Sequence, residues 1–224
     1  RLCLFAPYKK RIHIIGSFNN WKQSDHYLMK KDGAGDNVYW WLDIKGLDAA
    51  KEHAFQYLVD GKLRIADPYA HKLSDPEDEF ITGEHYPELM SYPVAADKEI
   101  ASLIYPKDQE YDWQFSQGFK RPPQEELVIY ELHVRDFTAE RTFDAVRAKI
   151  PYFKKLGVNA IEFMPLAEFE SNSSWGYNPT FYFAVDKYYG PANSLKRLID
   201  ELHHQGIAVI LDMVLNHSYS KNTM

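Results

Sequence analysis

Asp212, Asn216 and His217 close an apolar run, Gly206–His217, that reads GIAVILDMVLNH. A run so rich in Val, Ile, Leu and Met reads as a strand covered on both faces, as in a parallel sheet. A carboxylate, an amide and an imidazole gathered at its C-terminal end can hydrogen-bond a polar ligand. In a parallel barrel that end is the active-site rim. A second group lies upstream in Trp175–Gly190 (WGYNPTFYFAVDKYYG), with seven aromatic rings in sixteen residues. It belongs to the segment Pro165–Asn193, roughly twice the length of an ordinary connection. A long loop after a barrel strand belongs to the same rim. Aromatic rings there can stack on the weakly positive C–H faces of sugar rings. Large rings also serve ordinary packing, and most of these are read that way. Tyr177, beside Gly176, is the ring expected to touch a ligand. Plainer readings compete: His217 as a hydrogen-bonding loop residue, and Asp212 as a structural carboxylate. The combination Asp-x-x-x-Asn-His, preceded by an aromatic loop and an amphipathic helix, is more specific than its parts.

Elements that could position these residues begin at Leu127. Leu127–His133 reads as an apolar strand. Thr142–Leu156 reads as a helix with Thr142 as N-cap and Gly157 closing it. Pro151 cannot sit quietly in mid-helix, so a kink, or a fresh first turn starting there, is expected. Val158–Met164 is a second strand. Ser194–Gln205 is a second helix, with Leu195, Leu198, Ile199 and Leu202 on one face. Gly206 ends it, and Ile207–Val214 is a third strand. This β-α-β-α-β series implies a parallel sheet over 127–224. Three strands cannot close a barrel that needs eight, and the third strand would expose an unpaired edge. Two readings remain: a piece of a longer protein, truncated before strand four, or a complete small three-strand α/β domain. The first is favoured, because the third strand runs into the terminus with no covering helix. Such a piece is expected to aggregate, to associate through that edge, or to be the retained part of a longer chain.

The first hundred residues have another rhythm. Arg11–Phe18, Val38–Ile44 and His53–Val59 are rich in aromatic and β-branched residues. Asp60-Gly61 between His53–Val59 and Lys62–Ile65 signals a tight hairpin turn, and Lys31-Asp32-Gly33 a further turn. Residues 1–100 are therefore expected to form an antiparallel β-sandwich of immunoglobulin-like type. Trp40 and Trp41 point to opposite faces of one strand, so at most one is open to a ligand. Residues 101–126, with Pro106, Pro122 and Pro123, read as a linker laid against one or both domains. The whole is a multidomain β plus α/β chain.

Bulk properties exclude several classes. The chain has 224 residues, 45% hydrophobic and 26% charged, with net charge −6. Without a basic run, nucleic acid is not an expected partner. Cys3 is the sole cysteine, which excludes an internal disulfide or a multi-cysteine metal site. No apolar run approaches a membrane span. The chain begins at Arg1, so the absence of a leader is uninformative about compartment.

The quoted motifs together resemble glycoside hydrolase family 13, the α-amylase clan, over Leu127 to about Tyr219. The likeness rests on Tyr130–Phe137 (YELHVRDF), the second strand ending at Pro165, Gly176-Tyr177 with Asp186 and Tyr189-Gly190, and Asp212–His217 (DMVLNH). It implies a (β/α)8 TIM barrel of which 127–224 is the N-terminal part. It implies that Tyr177 forms a platform under the sugar at the cleavage subsite and that His217 hydrogen-bonds the same sugar. Asp212 would support the site structurally and electrostatically. Asn216 ligates calcium in many members, but calcium takes about six to eight oxygens. No cofactor is expected to be required, and calcium is left open. The N-terminal region resembles carbohydrate-binding module family 48 over Leu4–Tyr8, Ile14–Trp21 and His53–Tyr69. Trp21 matches a glucan-stacking tryptophan of that family. Leu63 and Gln56 stand where glucan binders have a second tryptophan and a lysine, which favours a sandwich that scaffolds the barrel.

The chemistry implied is retaining cleavage of α-glucosidic bonds in starch, glycogen or maltooligosaccharides. Two carboxyl groups about 5–5.5 Å apart act as nucleophile and acid. In the family these come from strands four and five, and a further Asp from strand seven, so the nucleophile and the acid/base are expected beyond Met224. Glu131, Asp136, Glu162 and Asp186 do not match those positions. The piece alone is expected to be inactive. A hydrolase is the preferred reading. A branching or debranching enzyme of the same clan and a noncatalytic glucan-binding protein are the alternatives.

Overall fold

The structure, a computed structural model, describes residues 1–105 and 110–224, in two compact units. Pro106, expected to shape the linker, lies outside the described residues. The first unit takes Arg1–Glu79 and 90–105, with Thr223–Met224. Its strands are β1 (Leu2–Phe5), β2 (Ile12–Gly16), β3 (Lys30–Ala34), β4 (Asn37–Leu42), β5 (His53–Val59), β6 (Leu63–Ile65), β7 (Leu73–Ser74) and β8 (Ala101–Ile104). One sheet has the order β1-β4-β3. The other runs β2-β5-β8-β7, with β6 paired to β5. All pairings are antiparallel. Alternate residues of both sheets meet in one core. Leu4, Val38 and Trp40 come from the first sheet; Ile12, Ile14, Phe55, Tyr57 and Val59 come from the second. Trp40 is buried and its indole N–H donates to the Ala6 carbonyl, 2.9 Å. Trp41, on the opposite face, lies under Arg1 and Lys30 at 4.4 and 4.7 Å from the ring centroid.

The Asp60-Gly61 hairpin turn forms, and the Asp60 carboxylate pins it by accepting from the amides of Lys10 and Arg11 at 2.8 and 3.0 Å. The other expected turn moves. Lys31-Asp32-Gly33 lie inside β3, and the chain reverses at Gly35-Asp36, because Ala34 pairs with Asn37 and leaves a two-residue loop. The expected linker also starts later than 101. Ala101–Ile104 is β8, paired with β5 and β7. Ala101 and Ser102 are small, so their burial leaves little hydrophobic signal in the sequence.

The second unit takes Phe80–Leu89 and 110–222. Its elements are β9 (Ile129–Leu132), α1 (Val134–Phe137), α2 (Phe143–Arg147), α3 (Ile150–Leu156), β10 (Ala160–Phe163), β11 (Ala167–Phe169), β12 (Pro179–Val185), α4 (Ala192–His204) and β13 (Ala208–Leu211). β9, β10 and β13 form a parallel sheet of order β13-β10-β9. The expected helix over 142–156 is broken in two, with Pro151 in the first turn of α3, where its missing N–H costs nothing. Thr142 caps α2 by accepting from the Ala145 amide at 3.2 Å, and Gly157 ends α3 at φ +83°. Leu132, Ile161 and Phe163 of the sheet share a buried core with Phe143 and Val146 of α2, Phe153 of α3, and Leu198 and Leu202 of α4. The sheet's other face presents Glu131 opposite Glu162, in register across β9 and β10. Among the described residues no helix is long and apolar enough to cross a membrane.

The later part of the expected linker is fastened to α4. Asp200 is buried, and its carboxylate accepts from the amides of Gln114, Phe115 and Ser116 at 2.8, 3.0 and 2.9 Å. The ring of Phe119 stacks on His203 at 4.1 Å. The segment Pro165–Asn193, expected as one long loop, instead contains the hairpin β11–β12. Its strand signal was masked because aromatic residues follow one another in β12, Phe181 and Phe183 on one face and Tyr182 on the other.

Candidate functional site

Tyr177, Asp212 and His217 come together beyond the C-terminal ends of the parallel strands. Asp212 follows β13 directly, and its amide donates to the Phe163 carbonyl at 3.0 Å, which continues the register of the sheet. The Tyr177 hydroxyl donates to Asp212 Oδ2 at 2.7 Å. His217 Nε2 lies 2.7 Å from the Tyr177 carbonyl oxygen. A carbonyl only accepts, so Nε2 carries the proton and a neutral ring keeps Nδ1 as an acceptor. The Tyr182 hydroxyl donates to the His217 carbonyl at 2.9 Å. Further along, the Tyr219 amide donates to the Pro179 carbonyl and the Asn222 side chain to the Thr180 carbonyl, at 2.8 and 2.7 Å. The strand β12 thus lines the segment that carries His217.

Electrostatics follow this geometry. The Tyr177 phenol is pushed up to about 12, first by its hydrogen bond to Asp212, then by desolvation and by the negative charges of Asp212, Glu131 and Glu162. It remains a proton donor to Asp212 at every physiological pH. Tyr177 is still 39% exposed. Glu131 and Glu162 are close enough to bear on Tyr177, although neither matches a catalytic position of the resembled family.

Other carboxylates have structural partners. Asp136 is held far below the usual carboxylate range by its hydrogen bonds to Arg135 and then His133. Asp186 is buried and its Oδ1 accepts from the Tyr188 amide at 2.9 Å, capping a short turn. Asn216 is exposed. Among the described residues no group of three or more His, Cys, Asp or Glu side chains could hold a metal ion. One amide oxygen falls far short of the about six to eight that calcium takes, so these residues do not by themselves fit that ion.

In the first unit Trp21 is half-buried and packs on a cluster of Ala54, Ala96, Ala101 and Leu103. Gln56, at the lysine position of the resembled module, is fully buried and donates to the carbonyls of Ala96, Glu99 and Ile100 at 3.1, 3.3 and 3.1 Å. Leu63 is exposed. The structure therefore does not bring Trp21, Gln56 and Leu63 together on an open face. The segment 94–100 covers the sheet there.

A tyrosine, an aspartate and a histidine tied to one another at the ends of parallel strands are a feature that known proteins can test. Residues 117–224 match the alpha-amylase family, catalytic domain. Over nearly its whole length the chain is similar to two curated enzymes. It is 34% identical over 215 residues to the malto-oligosyltrehalose trehalohydrolase of Saccharolobus solfataricus, covering 96% of the chain and 32% of the enzyme. It is 30% identical over 227 residues to the 1,4-alpha-glucan branching enzyme of Bacillus subtilis, again 96% and 32%. The pullulanase SAP of Group B Streptococcus, solved with maltotetraose, superposes with a TM-score of 0.69 at 25% identity, over 96% of this chain and 32% of that one. The glycogen-degrading pneumococcal protein SpuA superposes with a TM-score of 0.67 at 26% identity, over 97% and 26%. The chain spans about a third of the length of the curated relatives it matches.

Arg135, His133 and Tyr182 are residues around the site that the sequence did not single out, and Tyr189 stood there only beside Gly190, without a role. The motif YELHVRDF held the first two in view, but only a folded chain shows what they grip.

Proposed function

We propose that this chain is part of an enzyme of the α-amylase clan that acts on α-glucans by a retaining, double-displacement mechanism. Its relatives are a trehalohydrolase, a branching enzyme and pullulanase-type proteins, all of one clan, which supports the class of substrate. In this reading Tyr177 is a platform for a glucose ring, His217 hydrogen-bonds that ring, and Asp212 orients Tyr177. The observation that carries it is the Tyr177–Asp212 hydrogen bond, with His217 on the same tyrosine's carbonyl. The parallel strands β9, β10 and β13 are proposed as the first three of a (β/α)8 barrel. The nucleophile and the acid are assigned to later strands of the whole protein, since Glu131, Asp136, Glu162 and Asp186 do not match the catalytic positions of the resembled family, and Asp136 and Asp186 are besides committed to structural bonds. The first unit is proposed as an immunoglobulin-like sandwich, akin to carbohydrate-binding module family 48, that scaffolds the barrel. The burial of Gln56 and the half-burial of Trp21 support scaffolding over glucan binding.

The test is kinetic, in the whole protein, with maltooligosaccharides. Tyr177→Ala and His217→Ala should each raise KM and lower kcat while the fold is retained. Unchanged kinetics in both variants would refute the site. Product analysis separates the remaining choice: new α-1,6 linkages mean a branching enzyme, and their absence with chain shortening means a hydrolase.

A further inference from the structure

We propose that Arg135 is a positioning residue, whose guanidinium holds the loop that carries Tyr177 against Asp212. This deepens the glucan-site reading and rests on it for its functional consequence. Arg135 lies in the short helix α1, directly after β9. Its Nε and Nη2 donate to the two oxygens of Asp136 at 2.8 and 3.1 Å, a planar fork on a carboxylate. That pairing aims Nη1 at the carbonyls of Ser173 and Ser174, the latter at 3.2 Å. The Arg135 side chain is only 16% exposed.

The fork is itself anchored in the core. His133 Nδ1 lies 3.0 Å from Asp136 Oδ2, and His133 Nε2 lies 3.0 Å from the Tyr189 hydroxyl. An ionised carboxylate only accepts, so Nδ1 carries the proton and Nε2 accepts from Tyr189. Tyr189 is fully buried, edge-on to Phe143 at 5.8 Å. The chain Tyr189–His133–Asp136–Arg135 thus runs from the core to the loop backbone with every proton assigned.

Past Ser174 the loop has little freedom. The Gly176 amide donates to Ser174 Oγ at 3.0 Å, and the same Oγ bonds Asn178 Oδ1. Tyr177 lies between these two points and meets Asp212. Arg135 therefore grips the chain three residues before the tyrosine it positions. Arginine suits the task because one plane must serve a carboxylate and two carbonyls at once. A lysine ammonium keeps the charge but has no such fork.

The experiment reads the Tyr177–Asp212 contact in the chain itself. Titration of the Tyr177 phenol by NMR of labelled tyrosine, assigned with Tyr177→Phe, should show a midpoint near 12 in the parent. In Arg135→Met it should fall toward the ordinary tyrosine value of about 10, with Arg135→Lys in between. A folded Arg135→Met chain that keeps the high midpoint overturns the proposal. Should Arg135→Met fail to fold, Arg135→Lys removes the fork while keeping the charge, and an unmoved midpoint there overturns it equally. In the whole protein Arg135→Lys should raise KM for maltooligosaccharide more than it lowers kcat. A shifted midpoint together with unchanged kinetics in Tyr177→Phe and Tyr177→Ala would leave the positioning intact and refute the glucan role of Tyr177 instead.

Discussion

Gly176→Ala, set beside Gly157→Ala, measures how tightly the Tyr177 loop is held. Both glycines have positive φ, +89° and +83°. Both alanines therefore carry the left-handed backbone cost of about 1–2 kcal/mol, less a shared gain from a stiffer unfolded chain of about 0.5 kcal/mol. The surroundings differ. A Cβ on Gly157 would meet nothing within 4 Å, whereas one on Gly176 would lie 2.6 Å from the Pro165 carbonyl oxygen and 2.8 Å from its Cβ. Pro165 is a ring and a backbone carbonyl, neither able to swing aside, so the loop itself must move. Such overpacking costs about 1–3 kcal/mol. Gly157→Ala is thus expected to lose about 1 kcal/mol, and Gly176→Ala about 2–4 kcal/mol from the same terms. Urea denaturation of both variants gives the difference. Phenol titration of Tyr177 then tells whether the loop escaped: an alanine that displaces it should drop the midpoint from about 12 toward about 10. Equal destabilisation of the two variants, with the midpoint unmoved, would refute the close fit against Pro165.

Further outcomes follow from three buried side chains. Asp200→Ala should cost about 3 kcal/mol, since buried amides lose a charged acceptor, and hydrogen exchange should quicken at Gln114, Phe115 and Ser116 first. Burial alone would raise the Asp200 carboxyl, but the amides of Gln114, Phe115 and Ser116 outweigh it and hold it low. Its contribution is then complete above about pH 4, the unfolded value, and is lost as pH falls further. A pH-stability curve of wild type against Asp200→Asn checks the sign, and the acid-side difference should disappear in the variant. Phe153→Ala removes a fully buried ring stacked on Phe137 at 5.4 Å, and should cost about 3–5 kcal/mol in a denaturant melt. Gln56→Ala takes a donor from three carbonyls and should cost about 1–3 kcal/mol, with faster exchange across 94–100 as the local sign.

Much of this protein can be read from local sequence. The apolar run ending at Asp212 announced the strand Ala208–Leu211, because pairing stops where the polar groups begin, but not its cover: Val209 and Ile210 are half-buried and Leu211 is exposed, so the strand is not covered on both faces as expected. Thr142, Pro151 and Gly157 marked helix boundaries through capping chemistry confined to a few residues. The Asp60-Gly61 turn was legible for the same reason. Tertiary structure alone decided the rest. Ala101–Ile104 joined a sheet through pairing with residues about fifty positions away, and nothing in four small or apolar residues announces a partner. Asp200 and Arg135 look like ordinary surface charges of helices. One is buried because distant amides converge on it, and the other is aimed by Asp136 at carbonyls thirty-eight residues on. The bond between Tyr177 and Asp212, thirty-five residues apart, has the same origin. Residue types declare what a side chain can donate or accept, but only the packed chain decides which group it meets.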